Sequence, residues 1–247
     1  MTTPALAQNV RGKGRHYKNP KNGDLVPSVT NIIGMMDKPA LPRWSAKLVA
    51  ERAALMKRSL PQMDDADIVD TLKAVPWQRS NRAADRGTDI HAYLEARLND
   101  WEPEELSADA EPYKAAADDW MLHADIEVVA TELTAFHPLY AGTMDFVARV
   151  NGVLTLGDFK TSKAIYDEAA LQLSALWGCY TDQHGDPVPW RDADGDVTEM
   201  PVLEVVRIGH NGWESKQVED PMGSLRAFFG LLEAWNWKHS KAWMDES

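Results

Sequence analysis

The spacing of apolar residues in the first half of the chain is mostly helical. Asn22-Gly23 lies between two short apolar runs and predicts a hairpin over residues 15–27. Ser28 or Thr30 follows as a candidate N-cap of a short helix. Longer helical segments are predicted over residues 42–60, 64–74, 77–98 and 113–124. This half of the chain is therefore expected to form a small hairpin followed by helices.

The second half of the chain alternates β-rich runs with amphipathic segments. Strands are predicted over residues 126–136, within the apolar hairpin 142–160, and over residues 202–208 and 213–218, which pair across His210-Asn211-Gly212. Helices are predicted over residues 167–180 and 222–239, with a polar loop over residues 182–200. Helices, then three strands, then a helix and more strands predict an α/β (α+β) fold.

The predicted elements divide the chain into an N-terminal part and a core. Residues 1–76 are expected to form the hairpin and a helical extension, and residues 77–247 are expected to form the core with its C-terminal strands and helix. The chain has 247 residues, so both parts can belong to one compact unit.

Two aspartates occupy the middle of otherwise apolar strands. If Asn151-Gly152 forms a two-residue turn, Val150 faces Val153 and the numbers of paired residues sum to 303. Asp145 and Asp158 satisfy this sum, so they are predicted to lie opposite each other. Aspartate is a poor strand residue, and like charges in opposite positions destabilise a sheet. Such a pair calls for a compensating partner.

A divalent cation is one such partner. Carboxylates on adjacent strands suit Mg²⁺ or Mn²⁺, and Lys160 is predicted on the same face as Asp158, where it can act on a phosphate or a water molecule. The alternative is purely structural. In that case one aspartate faces solvent at a sheet edge, and the other pairs with Lys160 or Arg149.

Composition and charge narrow the class of protein. The chain is 44% hydrophobic with one cysteine, Cys179, and has no apolar run of membrane-spanning length, which predicts a cytoplasmic globular protein without disulfides. The formal net charge of −12 argues against a wholly basic nucleic-acid-binding surface. Basic residues nevertheless cluster at 11–21 and 79–86, and each cluster is compatible with either a solvated surface or a local basic groove.

Four sequence elements resemble the RecB-like branch of the PD-(D/E)XK nucleases, which includes phage-type exonucleases. They are "RGTDIHAYLE", with Gly87 four residues before His91, then "GTMDFVARV", "LTLGDFKTSK" and "LQLSALWGCY". The resemblance covers roughly residues 77–182. It implies a restriction-endonuclease-like core in which helices flank a central mixed β-sheet.

The resemblance also implies a set of site residues. The implied metal ligands are His91, Asp145, Asp158 and the Phe159 backbone carbonyl. Glu132 is a separate candidate, because an acid inside an otherwise apolar strand is costly. It is compatible with a direct or water-mediated metal contact and equally with a buried ion pair. The implied catalytic residues are Asp145, Asp158, Lys160 and Gln172. Candidate DNA contacts are Arg82, Arg86, Lys163 and Gln172. Glu95, one helical turn after His91, is expected to orient the imidazole. The chain lacks the cysteine quartet of some relatives, so no iron–sulfur cluster is expected.

These residues predict a deoxyribonuclease dependent on Mg²⁺ or Mn²⁺, of the exonuclease type that acts in recombination or repair. The alternatives are a structure-specific or restriction-like endonuclease, a catalytically silent DNA-binding subunit of a recombination complex, and a metal-binding regulator without DNA. DNA is the expected partner. A single-strand annealing protein and further copies of the chain are candidate partners, and no membrane association is expected.

Overall fold

A mixed five-stranded β-sheet forms the centre of the protein. The computed structural model describes residues 6–180 and 200–240. The strands of this sheet are β4 (Ile126–His137), β5 (Tyr140–Val150), β6 (Val153–Lys160), β7 (Val202–Gly209) and β8 (Gly212–Gln217). They are hydrogen-bonded in this order, with β6 and β7 parallel and the other neighbours antiparallel. The predicted loop 182–200 lies, apart from residue 200, outside the described residues.

A smaller antiparallel sheet and the helices complete the fold. The small sheet consists of β1 (Ala7–Val10), β2 (Gly14–Lys18) and β3 (Leu25–Pro27). The helices are α1 (Val29–Ile33), α2 (Ala40–Leu55), α3 (Asp65–Leu98), α4 (Glu111–His123), α5 (Glu168–Trp177) and α6 (Pro221–Ser240), with 3₁₀ turns at Leu60–Gln62 and Gly178–Tyr180. The α+β class and the central mixed sheet flanked by helices are therefore confirmed.

Apolar clusters cover both faces of the central sheet. On one face α1, α5 and α6 pack around residues such as Leu156, Leu173 and Phe228, all of them buried. On the other face α3 and α4 contribute to a second cluster, which contains Ile90 and Trp120. The sheet is thus a rigid central layer, and side chains at the strand ends are held between two packed layers of helices.

The β5–β6 hairpin has the register predicted from Asn151-Gly152. Five consecutive pairs, from Val150 with Val153 to Phe146 with Gly157, have residue numbers that sum to 303. Position 157 requires glycine because a Cβ atom there would lie 1.9 Å from the Phe146 ring. The next step along the hairpin brings Asp145 and Asp158 to opposite positions.

The helix predictions are wrong at two places in the N-terminal half. Residues 64–74 and 77–98 form the single helix α3, which continues through Pro76. Proline removes one backbone donor, and a long helix can tolerate that loss when the residues on both sides still make their own hydrogen bonds. The predicted division at residue 76 consequently falls inside one helix. The helix predicted over 42–60 ends at Leu55, and strand β1 was not predicted.

The small sheet packs onto the beginning of β5. Ser28 forms a parallel bridge with Ala141, and the Tyr17 hydroxyl lies 3.2 Å from the Thr143 hydroxyl. Ser28 also caps α1, where its Oγ accepts a hydrogen bond from the Asn31 N–H at 3.1 Å. These contacts place the N-terminal hairpin beside the ends of β5 and β6. Among the described helices, none combines the length and the apolarity that crossing a bilayer requires.

Candidate metal-binding and catalytic site

An open cleft of about 500 Å³ lies where β5 begins and β6 ends. Helix α3, helix α5 and the N-terminal hairpin form its walls. The polar residues that line it are Arg15, Tyr17, Ser28, Thr30, Thr88, His91, Glu95, Glu132, Thr143, Asp145, Asp158, Lys160 and Gln172. Six of the residues predicted for the site, from five different elements of the fold, therefore lie in one cavity.

His91, Glu132 and Asp145 form the first group of side chains in the cleft. Each offers a ligand atom, and these atoms all lie within 4.8 Å of one another. His91 Nδ1 lies 3.3 Å from Asp145 Oδ1, so Asp145 orients the imidazole. The prediction assigned that role to Glu95, which lines the cleft but is not the ion-pair partner of His91 in the described structure.

Glu132 reaches this group because of an irregularity in β4. The β4–β5 register shifts by one residue between Val128 and Ala130, which leaves Val129 as an extra residue in the strand. After the shift Thr131 pairs with Phe146 and Leu133 pairs with Met144, so Glu132 lies opposite Asp145. Its φ of 46° is in the left-handed region, which is uncommon for a residue with a side chain. The three acids at 132, 145 and 158 consequently form a row across neighbouring strands.

Asp158, Lys160 and Gln172 form the second group. Asp158 is 1% exposed, and its Oδ1 accepts a hydrogen bond from Gln172 Nε2 at 2.7 Å. Its Oδ2 forms a charge-assisted ion pair with Lys160 Nζ. Lys160 Nζ also donates to Gln172 Oε1 at 3.1 Å. Gln172 on α5 therefore holds both the acid and the lysine of β6 in fixed positions.

The first group attracts protons in the absence of a metal ion. Burial alone would lower the pKa of His91, but the carboxylates of Asp145 and Asp158 outweigh it and raise this pKa to about 9. Burial raises the pKa of Glu132 to about 7, and the charges of Asp145 and Glu95 act in the same direction. A concentration of negative charge that raises the pKa of its neighbours is also a favourable environment for a cation.

The two central aspartates differ in their preference for a proton. Burial would raise the pKa of Asp145, but His91, Lys160 and the N–H of Phe159 more than offset it, so this pKa is lowered. Burial raises the pKa of Asp158, and the charge of Asp145 adds to the effect. Burial would lower the pKa of Lys160, but Asp158 and Asp145 raise it, which keeps the ammonium charged. When two carboxyl groups lie this close, one pKa is expected to fall and the other to rise, because the two negative charges repel each other.

Phe159 contacts the site through its amide. Its N–H donates to Asp145 Oδ2 at 2.6 Å and fixes that carboxylate across the hairpin. Its ring is buried against the Trp120 ring, with centroids 5.1 Å apart, and also meets the His91 ring edge-on, with centroids 6.0 Å apart. The role of its carbonyl oxygen as a metal ligand stays a prediction.

The predicted DNA contacts Arg82, Arg86 and Lys163 lie away from the cleft. At 3.6 residues per turn, Arg82 and Arg86 lie about 180° and about 140° around α3 from His91, on the other side of the helix. The Arg86 guanidinium instead stacks on the Tyr113 ring, 4.9 Å from its centroid. Lys163 is exposed in the loop after β6 and is not among the residues that line the cleft.

The N-terminal hairpin supplies cleft residues that were not predicted individually. Arg15 and Tyr17 of β2 line the cleft, as does Thr30 of the following helix α1. Arg15 is half-buried, whereas the other arginines and lysines between positions 11 and 18 are exposed. Its carbonyl oxygen accepts hydrogen bonds from Asn31 Nδ2 at 2.7 Å and from the Ser28 N–H at 3.0 Å, which fixes the backbone at this point. Arg15 lies two residues before Tyr17 in β2 and therefore on the same face of the strand, and this spacing is the signal that could have identified it.

The cleft combines the row of three carboxylates and the imidazole of His91 with an adjacent lysine, Lys160. Hard oxygen ligands suit Mg²⁺, and an added imidazole favours Mn²⁺ or another transition metal. A scan against protein-family models matches no family, and a search of curated proteins returns no matching protein. The chemistry of the site is therefore inferred from its own side chains. Their arrangement can hold a divalent cation and, beside it, a positively charged hydrogen-bond donor.

Proposed function

We propose that this protein is a deoxyribonuclease dependent on Mn²⁺ or Mg²⁺, of the exonuclease type that acts in recombination or repair. The observation that carries the proposal is the convergence of His91, Glu132 and Asp145 within 4.8 Å, directly beside the buried Asp158–Lys160–Gln172 group. A purely structural ion pair does not account for the additional acid and the histidine. Cytoplasmic location and DNA as partner belong to the same proposal.

The residues present fit a divalent cation. Carboxylates that face one another in a protein interior destabilise it unless positive charge compensates them, and three acids from neighbouring strands, Glu132, Asp145 and Asp158, line this one cleft. The residues that would hold the ion are His91, Glu132, Asp145 and Asp158. A divalent cation in such a place supplies positive charge that offsets the negative charge of a reacting phosphodiester.

The protein's own residues have separate tasks in this proposal. Lys160 Nζ, at the end of β6, donates a hydrogen bond to a phosphate oxygen and offsets the charge that builds up there. Gln172 holds Lys160 and Asp158 in place through hydrogen bonds of 3.1 and 2.7 Å. Asp145 fixes His91 at 3.3 Å and is itself fixed by the Phe159 N–H. Because these groups lie on strands and helices, they are positioned before a substrate binds.

Cleavage of DNA in the presence of Mn²⁺ tests the proposal. An exonuclease degrades linear duplex or single-stranded DNA progressively and leaves covalently closed circles intact. Lys160→Ala is expected to reduce the rate by about 10²–10³ because one charge-stabilising donor is lost, while metal binding persists. Asp158→Asn is expected to lose metal affinity as well as cleavage. Lys216→Ala, at an exposed lysine of β8, is the matched control and should cleave like wild type.

Three outcomes would change the assignment. Rapid nicking of closed circles would assign the protein to the endonucleases. Tight DNA binding without cleavage in any metal would support a catalytically silent subunit of a recombination complex, with an annealing protein or further copies of the chain as partners. Metal binding without any affinity for DNA would support a regulator.

A further inference from the structure

A second cavity of about 290 Å³ opens directly from the cleft. We call it the side pocket. It shares Thr30, Lys160 and Gln172 with the cleft, so the two cavities meet at the proposed catalytic lysine. From there the side pocket extends between the end of α1 and the beginning of α5. A group bound in it would therefore be attached next to the phosphate on which Lys160 acts.

The walls of the side pocket differ from those of the cleft. The acids of the metal-binding group do not line it. Its lining includes Ile33, Ala169 and Tyr166, together with the charged residues Lys38 and Glu168. Tyr166 is 56% exposed, although tyrosine is a large, mostly apolar residue, and its ring stacks on no other ring among the described residues. An aromatic ring with an open face beside a site for phosphate chemistry is a platform on which a nucleobase can stack.

The backbone around Tyr166 is fixed relative to the catalytic residues. The carbonyl oxygen of Tyr166 accepts a hydrogen bond from the Ala169 N–H at 3.0 Å, in the first turn of α5. Ser162 Oγ donates to the Ala164 carbonyl oxygen at 2.7 Å, which closes the preceding loop. Gln172 lies one turn further along α5. The loop therefore holds the tyrosine at a defined position relative to Gln172 and Lys160.

An exposed ion pair marks the outer end of the side pocket. Lys38 Nζ lies 3.3 Å from Glu168 Oε1, with side chains 47% and 30% exposed. Such a pair at the surface contributes little to stability and can be broken at small cost. Lys38 is thus available to contact a phosphate that follows the group bound in the pocket.

We propose that the side pocket binds the nucleoside next to the scissile phosphate, with its base stacked on Tyr166 and the following phosphate near Lys38. This inference rests on the proposed function, because it assumes that the phosphate lies at Lys160. The chemical class of ligand is a deoxynucleoside 5′-monophosphate or the equivalent unit of a DNA strand. A volume of about 290 Å³ is at the lower end for pockets of small ligands, which suits one nucleoside.

A binding cycle with two ligands and two forms of the protein tests the stacking directly. Deoxyadenosine 5′-monophosphate and deoxyribose 5-phosphate differ only in the base. Calorimetry with Mg²⁺ is expected to show wild type binding the nucleotide roughly 5- to 150-fold more tightly than the sugar phosphate. Tyr166→Ala is expected to abolish most of that ratio, and Tyr166→Phe is expected to keep it. Trp101→Ala, at another exposed aromatic residue, is the matched control and should keep the wild-type ratio.

The outcomes separate this inference from the nuclease proposal. If wild type cleaves DNA but the ratio is the same in Tyr166→Ala, the side pocket does not bind the base, while the nuclease proposal stands. If wild type binds the nucleotide in a Tyr166-dependent manner but cleaves no DNA, the pocket is supported and the nuclease proposal fails. Equal affinity of wild type for both ligands, or no binding at millimolar concentration, would overturn the side-pocket inference.

Discussion

The proton held by His91 predicts how the stability of the metal-free protein depends on pH. The pKa of His91 is raised from 6.5 to about 9 in the folded protein. A group with a higher pKa in the folded than in the unfolded state stabilises the fold fully below its unfolded pKa. This contribution is lost as the pH rises through the folded pKa. The protein in EDTA is therefore expected to lose stability between about pH 6.5 and pH 9.

The size of this effect follows from the two pKa values. The difference between about 9 and 6.5 corresponds to about 3 kcal/mol, at about 1.4 kcal/mol for each tenfold change. This value is an upper bound because the His91 side chain is 29% exposed and solvent screens its charge. For a chain of this length, about 3 kcal/mol changes the melting temperature by roughly 6–12 °C.

Thermal unfolding of wild type and His91→Gln in EDTA, measured from pH 6 to pH 9, tests the prediction. The difference in melting temperature between the two proteins is expected to shrink as the pH rises, because only wild type loses a stabilising charge. Glu132 also stabilises the fold less as the pH rises, but around its own pKa of about 7. Both proteins contain Glu132, so its contribution is common to the two curves. Parallel curves over the whole range would show that His91 is not held protonated by Asp145, and would refute the electrostatic argument.

Three further predictions concern the metal, the hairpin and the N-terminal wall of the cleft. Mn²⁺ at about 100 times its dissociation constant should stabilise the protein by about 2.7 kcal/mol, with reversal by EDTA, and an unchanged melting temperature would argue against a built site. Gly157→Ala should destabilise the protein by at least about 1–3 kcal/mol in urea, because a Cβ would lie 1.9 Å from the Phe146 ring. Gly230→Ala, which has open space around the new atom in α6, should instead be neutral or stabilising by up to about 1 kcal/mol. Asn31→Ala should cost about 1–2 kcal/mol, because Nδ2 donates to two carbonyl oxygens of the N-terminal hairpin, at 2.9 and 2.7 Å; wild-type stability would show that these bonds do not hold Arg15 in place.

Features that depend on local rules could be predicted from the sequence. A two-residue turn at Asn151-Gly152 determines the register of its hairpin, and that register brings Asp145 and Asp158 together. Strand alternation then places Lys160 beside Asp158. These steps need only the geometry of one hairpin and no knowledge of the rest of the fold.

Features that depend on tertiary packing could not be predicted in the same way. Helix α3 continues through Pro76, although proline usually ends a helix. The angles of Arg82 and Arg86 around α3 follow from their spacing to His91, but the side of α3 that faces the cleft depends on how the helix packs against the sheet. Arg15 lines the cleft only because the small sheet packs onto β5, a contact between residues far apart in the sequence.

The bulge at Val129 makes the composition of the site depend on the length of β4 as well as on its sequence. In the register before the bulge, Val128 pairs with Ala148, and continuing that register would place Thr131 opposite Asp145. The extra residue moves every following position by one, so a carboxylate occupies the place that a hydroxyl would have taken. A single inserted or deleted codon in this strand can therefore add a carboxylate to the cleft, or remove one, without changing any acidic residue. Homologous chains should accordingly be compared by strand register at this position as well as by residue identity.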